Sequence, residues 1–126
     1  MNTLLRASAL CYSAIGAAGL LAPERIPAVF GGEAATPDAR TEIRAVYGGL
    51  PLAIAGMVMA RPRQSAVPAA ALSAGMALGR IVGMRTEKQS SPATRFFLGV
   101  ETALALALLA GSRDAASRSS GSSGRS

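Results

Sequence analysis

The sequence predicts an all-α fold: a bundle of four transmembrane helices, with a short interfacial helix after the first span. Three observations carry that expectation. Half of the 126 residues are apolar and only 16% are charged, against ~25% in soluble domains. The apolar residues fall into four runs, each close to the ~20 residues that cross ~30 Å of hydrocarbon. The runs also lack the polar stripe that every helix of a soluble bundle needs. Leu50 to Ala60, Val67 to Gly79 and Phe96 to Leu109 offer only Ser73, Glu101 and Thr102 as clearly polar residues.

The first span runs from Thr3 to Leu21. Arg6 lies close enough to its start to reach the interface with its long side chain. No A-x-A-like site follows in A-P-E-R-I-P, so the segment reads as a membrane helix rather than a cleaved signal. Glu24 to Phe30 places Ile26, Val29 and Phe30 on one side, which suits an interfacial turn with its apolar side in the headgroups. Gly31-Gly32 ends it. Thr36-Pro37 then reads as an N-cap followed by proline at the first helical position, and the second span extends from Pro37 to Ala60. Pro51 removes a backbone hydrogen bond and crowds the Tyr47 carbonyl, so this span should kink there. Arg61 to Gln64 reads as a tight basic turn, Ser65 to Met84 as the third span, Arg85 to Pro92 as a polar loop, and Ala93 to Gly111 as the fourth span. The organisation is therefore a membrane domain over 1–111 and a low-complexity polar tail over 112–126, expected to be disordered.

Composition also limits function. The net charge of +6 could suit nucleic acid, but such binders gather Lys and Arg on one face. Here they lie mostly between the apolar runs, so no nucleic-acid partner is expected. The chain has one cysteine, Cys11, and no histidine, which gives no metal centre; no cofactor and no catalytic residue is assigned, and an enzyme is not expected. The cell membrane is the expected location. Lys and Arg in the short loops favour both termini in the cytoplasm, with the Arg61/Arg63 turn as the strongest signal.

Small residues recur every four positions in the later spans. Gly75, Gly79 and Gly83 on the third and Gly99 on the fourth form strips, and Gly48 and Gly49 open the apolar part of the second. In lipid such strips are expected to be helix-packing faces, within the chain or toward a homo-oligomer or another membrane protein. The small residues of the first span read as a by-product of its alanine-rich composition.

The candidate site is a set of charges in one leaflet. Glu42, Arg44 and Tyr47 sit where the second span leaves the water. Arg80 lies ~6 Å below the boundary of the third span and Glu101 ~12 Å below that of the fourth. Glu101 has Phe97, Leu98 and Leu104 beside it, so it must look inward and find a cation: Arg80 first, Arg44 second. Two readings follow. In one, Arg80 and Glu101 form an internal pair that fixes helix register; a lone acid and a nearby base suffice to explain each other, which favours it. In the other, Arg44 and Arg80 keep hydrogen-bonding capacity for a lipid headgroup, a small anion or a protein partner, with Tyr47 as a further donor. The alternatives are a proton-coupled transporter working as a homodimer, against which stands the absence of a glutamate in this chain's first span, and a quinone-binding accessory subunit of a membrane complex.

E-I-R-A-V-Y-G-G at Glu42 to Gly49, Gly79-Arg80 in the third span and the lone Glu101 in the fourth resemble a family of small bacterial four-helix membrane proteins, a domain of unknown function. The resemblance covers Thr3 to Ala110. It implies the four-helix fold and singles out Glu42, Arg44, Tyr47, Gly48, Gly49, Gly79, Arg80 and Glu101, without implying an activity. The departure is the loop M-R-T-E-K-Q-S-S-P, where the family resemblance leads one to expect an Asp-Gly turn.

Overall fold

The computed structural model describes residues 1–120. It is built of α1 (Thr3–Leu21), α2 (Arg25–Ala28), α3 (Pro37–Ile43), a π-helical turn (Arg44–Gly49), α4 (Leu50–Ala60), α5 (Pro62–Glu87) and α6 (Pro92–Ser120). There is no strand among the described residues. The stretch from α3 to α4 is one continuous rod, so four helical rods of 19 residues or more are long and apolar enough to cross a membrane. They close a ring in which α1 packs on α4 and α6, and α5 packs on α4 and, most extensively, along α6.

The helix ends follow local chemistry. The Asn2 side chain accepts from the Leu5 amide at 3.0 Å and caps α1, while its Nδ2 donates to the Gly111 carbonyl at 2.8 Å. The start of α1 and the Gly111 level of α6 therefore lie at the same end of the bundle. Replacing Asn2 with alanine removes both bonds, and the expected loss is about 1–2 kcal/mol; a detergent melt of N2A measures it. After α2, Gly31 takes φ +79°, which glycine adopts without a Cβ penalty. Its amide donates to Ala28 and that of Gly32 to Pro27, the paired bonds of a Schellman ending. The Thr36 hydroxyl accepts from Ala39 at 3.1 Å with Pro37 in the first turn, as the sequence leads one to expect. At the end of α5, Lys88 takes the left-handed position (φ 53°), so a lysine fills the place where the resemblance had suggested an Asp-Gly turn.

Pro51 shapes the second rod differently from a simple kink. Proline cannot donate to the Tyr47 carbonyl, and its ring crowds that oxygen. The chain answers by widening the preceding turn: the Leu50 amide donates to Ala45, five residues back. The residues that share a face at α-helical spacing are thereby split. Tyr47 and Pro51 remain on the inside of the ring, whereas Gly48 is buried against Leu20 of α1.

Three boundaries differ from expectation. The smallest difference is at the end of α5, which runs on to Glu87, into the expected Arg85 to Pro92 loop. Pro62 to Gln64 is the first turn of α5 rather than part of a loop, because proline suits a first helical position. At the other end, α6 continues past Gly111 through Ser120, into the segment expected to be disordered. Ala115 and Ala116 favour helix, and Asp114 stands four residues before Arg118, a spacing that supports one. The rest of that expectation, residues 121–126, lies outside the described residues.

The packing is small-inside and large-outside. Ala9, Ala55, Ala66, Ala69 and Ala70 are buried, with Leu5, Tyr12, Ile54, Val58, Leu104 and Leu108 filling the spaces. Leu10 (69% exposed), Leu21 (85%), Phe96 (66%) and Leu106 (64%) point outward. In water this distribution would expose apolar area on every side; in lipid it costs nothing, and the small residues let backbones approach. The chain is a membrane protein.

Close approach is made by α1. A Cβ on Gly19 would run into the backbone carbonyl of Tyr47, and one on Gly16 would lie 2.6 Å from the Leu52 side chain and 2.9 Å from the Gly48 oxygen. At the other end, one on Gly111 would meet Leu5 at 2.7 Å. By contrast, the Cβ positions of Gly75, Gly79, Gly83 and Gly99 have nothing within 4 Å, and Gly49 meets only its own turn. The strips expected to pack therefore face open space within the chain, Gly48 excepted. On α5 the buried face is Ala66, Ala69, Ala70, Ser73 and Ala77, rotated away from the glycines. The alanine-rich first span, set aside on composition, holds the tightest crossing.

Candidate functional site

The core is solid toward the termini. Toward the other end the rods part and leave a cavity of about 550 Å³. α4 and α5 are joined by the single residue Arg61. The cavity is lined from every rod: Tyr12, Ile15 and Ala18 of α1, Val46 and Tyr47 of the π turn, Leu50 to Ile54 of α4, Leu72 to Arg80 of α5, and Phe97 to Leu104 of α6 contribute residues to its wall. Ile26, Val29 and Phe30 close it from the α2 segment. Their expected place was the headgroups; Val29 remains 52% exposed, so this short segment presents apolar surface both to the cavity and outward. Tyr12 is 2% exposed and shares a hydrogen bond with Ser73 Oγ across α1 and α5, and it belongs both to the core and to the cavity wall.

Arg80 and Glu101 form the charged part of that wall. Arg80 Nε donates to both carboxylate oxygens, at 2.8 and 2.9 Å. Glu101 is only 6% exposed. Removing the carboxylate from water is costly unless a cation meets it, and the guanidinium does. The Arg80 Cζ lies 5.3 Å from the Phe30 ring centroid and 5.4 Å from that of Phe97, and the two rings are 5.4 Å apart. This triangle brings cation–π attraction to the charge and shields one side of the guanidinium. Sequence reading missed Phe30; no spacing rule connects the α2 segment to a residue fifty positions later.

The pairing uses only part of the arginine. Nε, the inner nitrogen, makes both bonds to Glu101, and the two terminal nitrogens have no protein hydrogen-bond partner among the described residues. Arginine–carboxylate pairs are frequently bidentate, with two N–H groups in parallel bonds to the two oxygens. Here the fork of terminal nitrogens is left over.

The other expected members of the cluster separate. Tyr47 lines the same cavity, 39% exposed, with its hydroxyl unpartnered among the described residues. Arg44 turns away and donates from Nε to the Leu20 carbonyl at 3.2 Å, where a cation suits the free carbonyls of a helix end. Glu42 is exposed and makes no ion pair or hydrogen bond among the described residues. The five residues thus resolve into a pair, a neighbouring hydroxyl, a helix cap and a surface carboxylate. Gly79 also borders the cavity, one residue before Arg80.

A family model covers this architecture. The model of DUF4345, a domain of unknown function, matches residues 1–111. The chain belongs to that family. The matched stretch takes in the whole DUF4345 bundle down to Gly111, including the cavity and the Arg80–Glu101 pair, and stops short of the polar end of α6. No curated protein and no solved structure matches the chain.

Proposed function

We propose that this membrane protein is a non-enzymatic binding protein that holds an amphipathic molecule in its cavity, with the polar head at Arg80. The observation that carries this reading is Arg80 itself: it lines a mostly apolar cavity, and its two terminal nitrogens have no hydrogen-bond partner among the described residues. Sites for small molecules are commonly of this kind, concave and mostly apolar with a few placed polar groups, and 300–1,000 Å³ in volume. The cavity of about 550 Å³ lies within that range. The Arg80–Glu101 pair serves both roles weighed from the sequence: Glu101 neutralises and positions the guanidinium, and the fork contacts the head. Ionisable side chains inside a membrane are read by default as functional.

A ligand that binds only the folded protein stabilises it, by about 2.7 kcal/mol at a hundredfold excess over Kd. A membrane lipid extract added to the detergent-purified protein is therefore expected to raise its melting temperature. R80M/E101L, with the fork and its counter-ion both removed, is expected to melt without that rise. Equal rises in both proteins would mean that lipid acts on the outer surface and not at this cavity.

The orientation we propose places both termini in the cytoplasm of the cell membrane and the charge pair in the far leaflet, supported by Arg61 and Arg63 beside the α4–α5 turn. A cytoplasm-dependent reporter fused after Ser126 should be active and one inserted at Gln89 silent. The opposite pattern would move the cavity to the cytoplasmic leaflet.

A further inference from the structure

The charge and hydrogen-bond balances of the cavity differ. Charge is already closed: Arg80 and Glu101 cancel at 2.8 Å. The next cation, Arg44, is exposed, committed to the Leu20 carbonyl and absent from the cavity wall. An anion entering here would leave one net negative charge in an apolar space with no cation to meet it, among the costliest arrangements a binding site can face. Hydrogen bonding is open, and open on the donor side. The hydrogens on the two terminal nitrogens of Arg80 lack a protein acceptor among the described residues, and arginine has no acceptor of its own. The Tyr12 hydroxyl is occupied by Ser73, while that of Tyr47 is available.

We infer that the cavity takes an uncharged amphipathic molecule whose head is a carbonyl group. The carbonyl oxygen accepts from the terminal N–H groups of Arg80, and the apolar remainder lies along Leu50, Ile54, Leu72 and Leu104. This rests on the binding reading above and narrows it, from any hydrogen-bond-accepting head to a neutral one; a free phosphate or an anionic headgroup is excluded by the charge balance. Two abundant sources in a membrane are the ester carbonyl of a neutral glycerolipid and the ring carbonyl of a quinone.

The test uses the full chain in dodecyl maltoside, a detergent without carbonyls, and three probes: 2-decyl-1,4-benzoquinone, dioctanoylglycerol and dodecyl phosphate. Binding is read by native mass spectrometry and by the shift in melting temperature. At least one of the two neutral probes is expected to bind the wild-type protein about tenfold more tightly than dodecyl phosphate, a difference of about 1.4 kcal/mol, and the stronger of the two identifies the source. Glu101→Gln leaves the Arg80 charge uncompensated, so the order should reverse, with dodecyl phosphate raising the melting temperature of that variant most. Because this is a gain of stability, it remains readable in a weakened protein. Dodecyl phosphate binding the wild type as tightly as the neutral probes would overturn the inference and leave the binding reading standing. An unreversed order in the glutamine variant would overturn the charge argument. No binding of any probe, or equal binding to R80M/E101L, would overturn both.

Discussion

Glu101→Gln is expected to destabilise the bundle by about 3–5 kcal/mol, the cost of leaving one member of a buried ion pair without its partner. Glutamine keeps the size of the side chain, so the loss isolates charge from packing. The guanidinium would remain beside Phe30 and Phe97, 20% exposed, with an amide in place of a carboxylate. Arg80→Met strands the carboxylate instead and should cost as much or more, since Glu101 is the more deeply buried of the two. The double variant R80M/E101L removes both charges and should recover most of the loss, because apolar side chains of similar volume replace a buried pair at little cost. Detergent melting of wild type, both single variants and the double variant closes a thermodynamic cycle. A coupling below about 0.5 kcal/mol would show that the two residues act independently.

The second large effect is expected at Gly19. Its missing Cβ is where the Tyr47 carbonyl sits, the oxygen to which Pro51 cannot donate. Backbone cannot rotate aside as a side chain can. Gly19→Val should therefore force α1 away from the π turn and cost about 1–3 kcal/mol or more. It should also disturb the cavity, since Tyr47 lines it. Gly75→Ala is the contrasting case. Open space surrounds that position, and alanine favours helix over glycine by up to about 1 kcal/mol, so the variant should melt at the same temperature or higher. Loss of stability at Gly75 together with a change in molecular mass would show that the glycine face meets a second copy.

The parts of the fold that the sequence made legible are those set by neighbours along the chain. Gly31-Gly32 and Thr36-Pro37 each determine a helix end by local chemistry, and helices stop or start there. The Arg80–Glu101 pair was legible for another reason: two opposite charges at similar depth in an apolar bundle have few other partners to choose. What depends on how rods cross was not legible. Ala71, Gly75, Gly79 and Gly83 form a strip on paper, but which strip of a helix turns inward depends on a rotation of some tens of degrees, and α5 turned its alanines in instead. Gly16 and Gly19 carried a usable signal, two glycines one turn apart opposite Gly48-Gly49, which the surrounding alanines obscured. The cavity had no sequence signal. It lies where residues from all four rods and from the α2 segment meet, an arrangement that residue order does not reveal. Arg44 was misplaced for a related reason: the π turn carries it off the face it would share with Tyr47 in a regular helix.

The binding role of the Arg80 fork is tested most directly by the mass of the protein as it leaves the membrane. Native mass spectrometry after extraction in mild detergent should show the wild-type chain carrying a discrete adduct with the mass of one uncharged amphipathic molecule. R80M/E101L, extracted from the same membranes, should fly without it. The same adduct in equal amount on both proteins, or a bare wild-type chain under conditions that preserve lipid on other membrane proteins, would contradict the account.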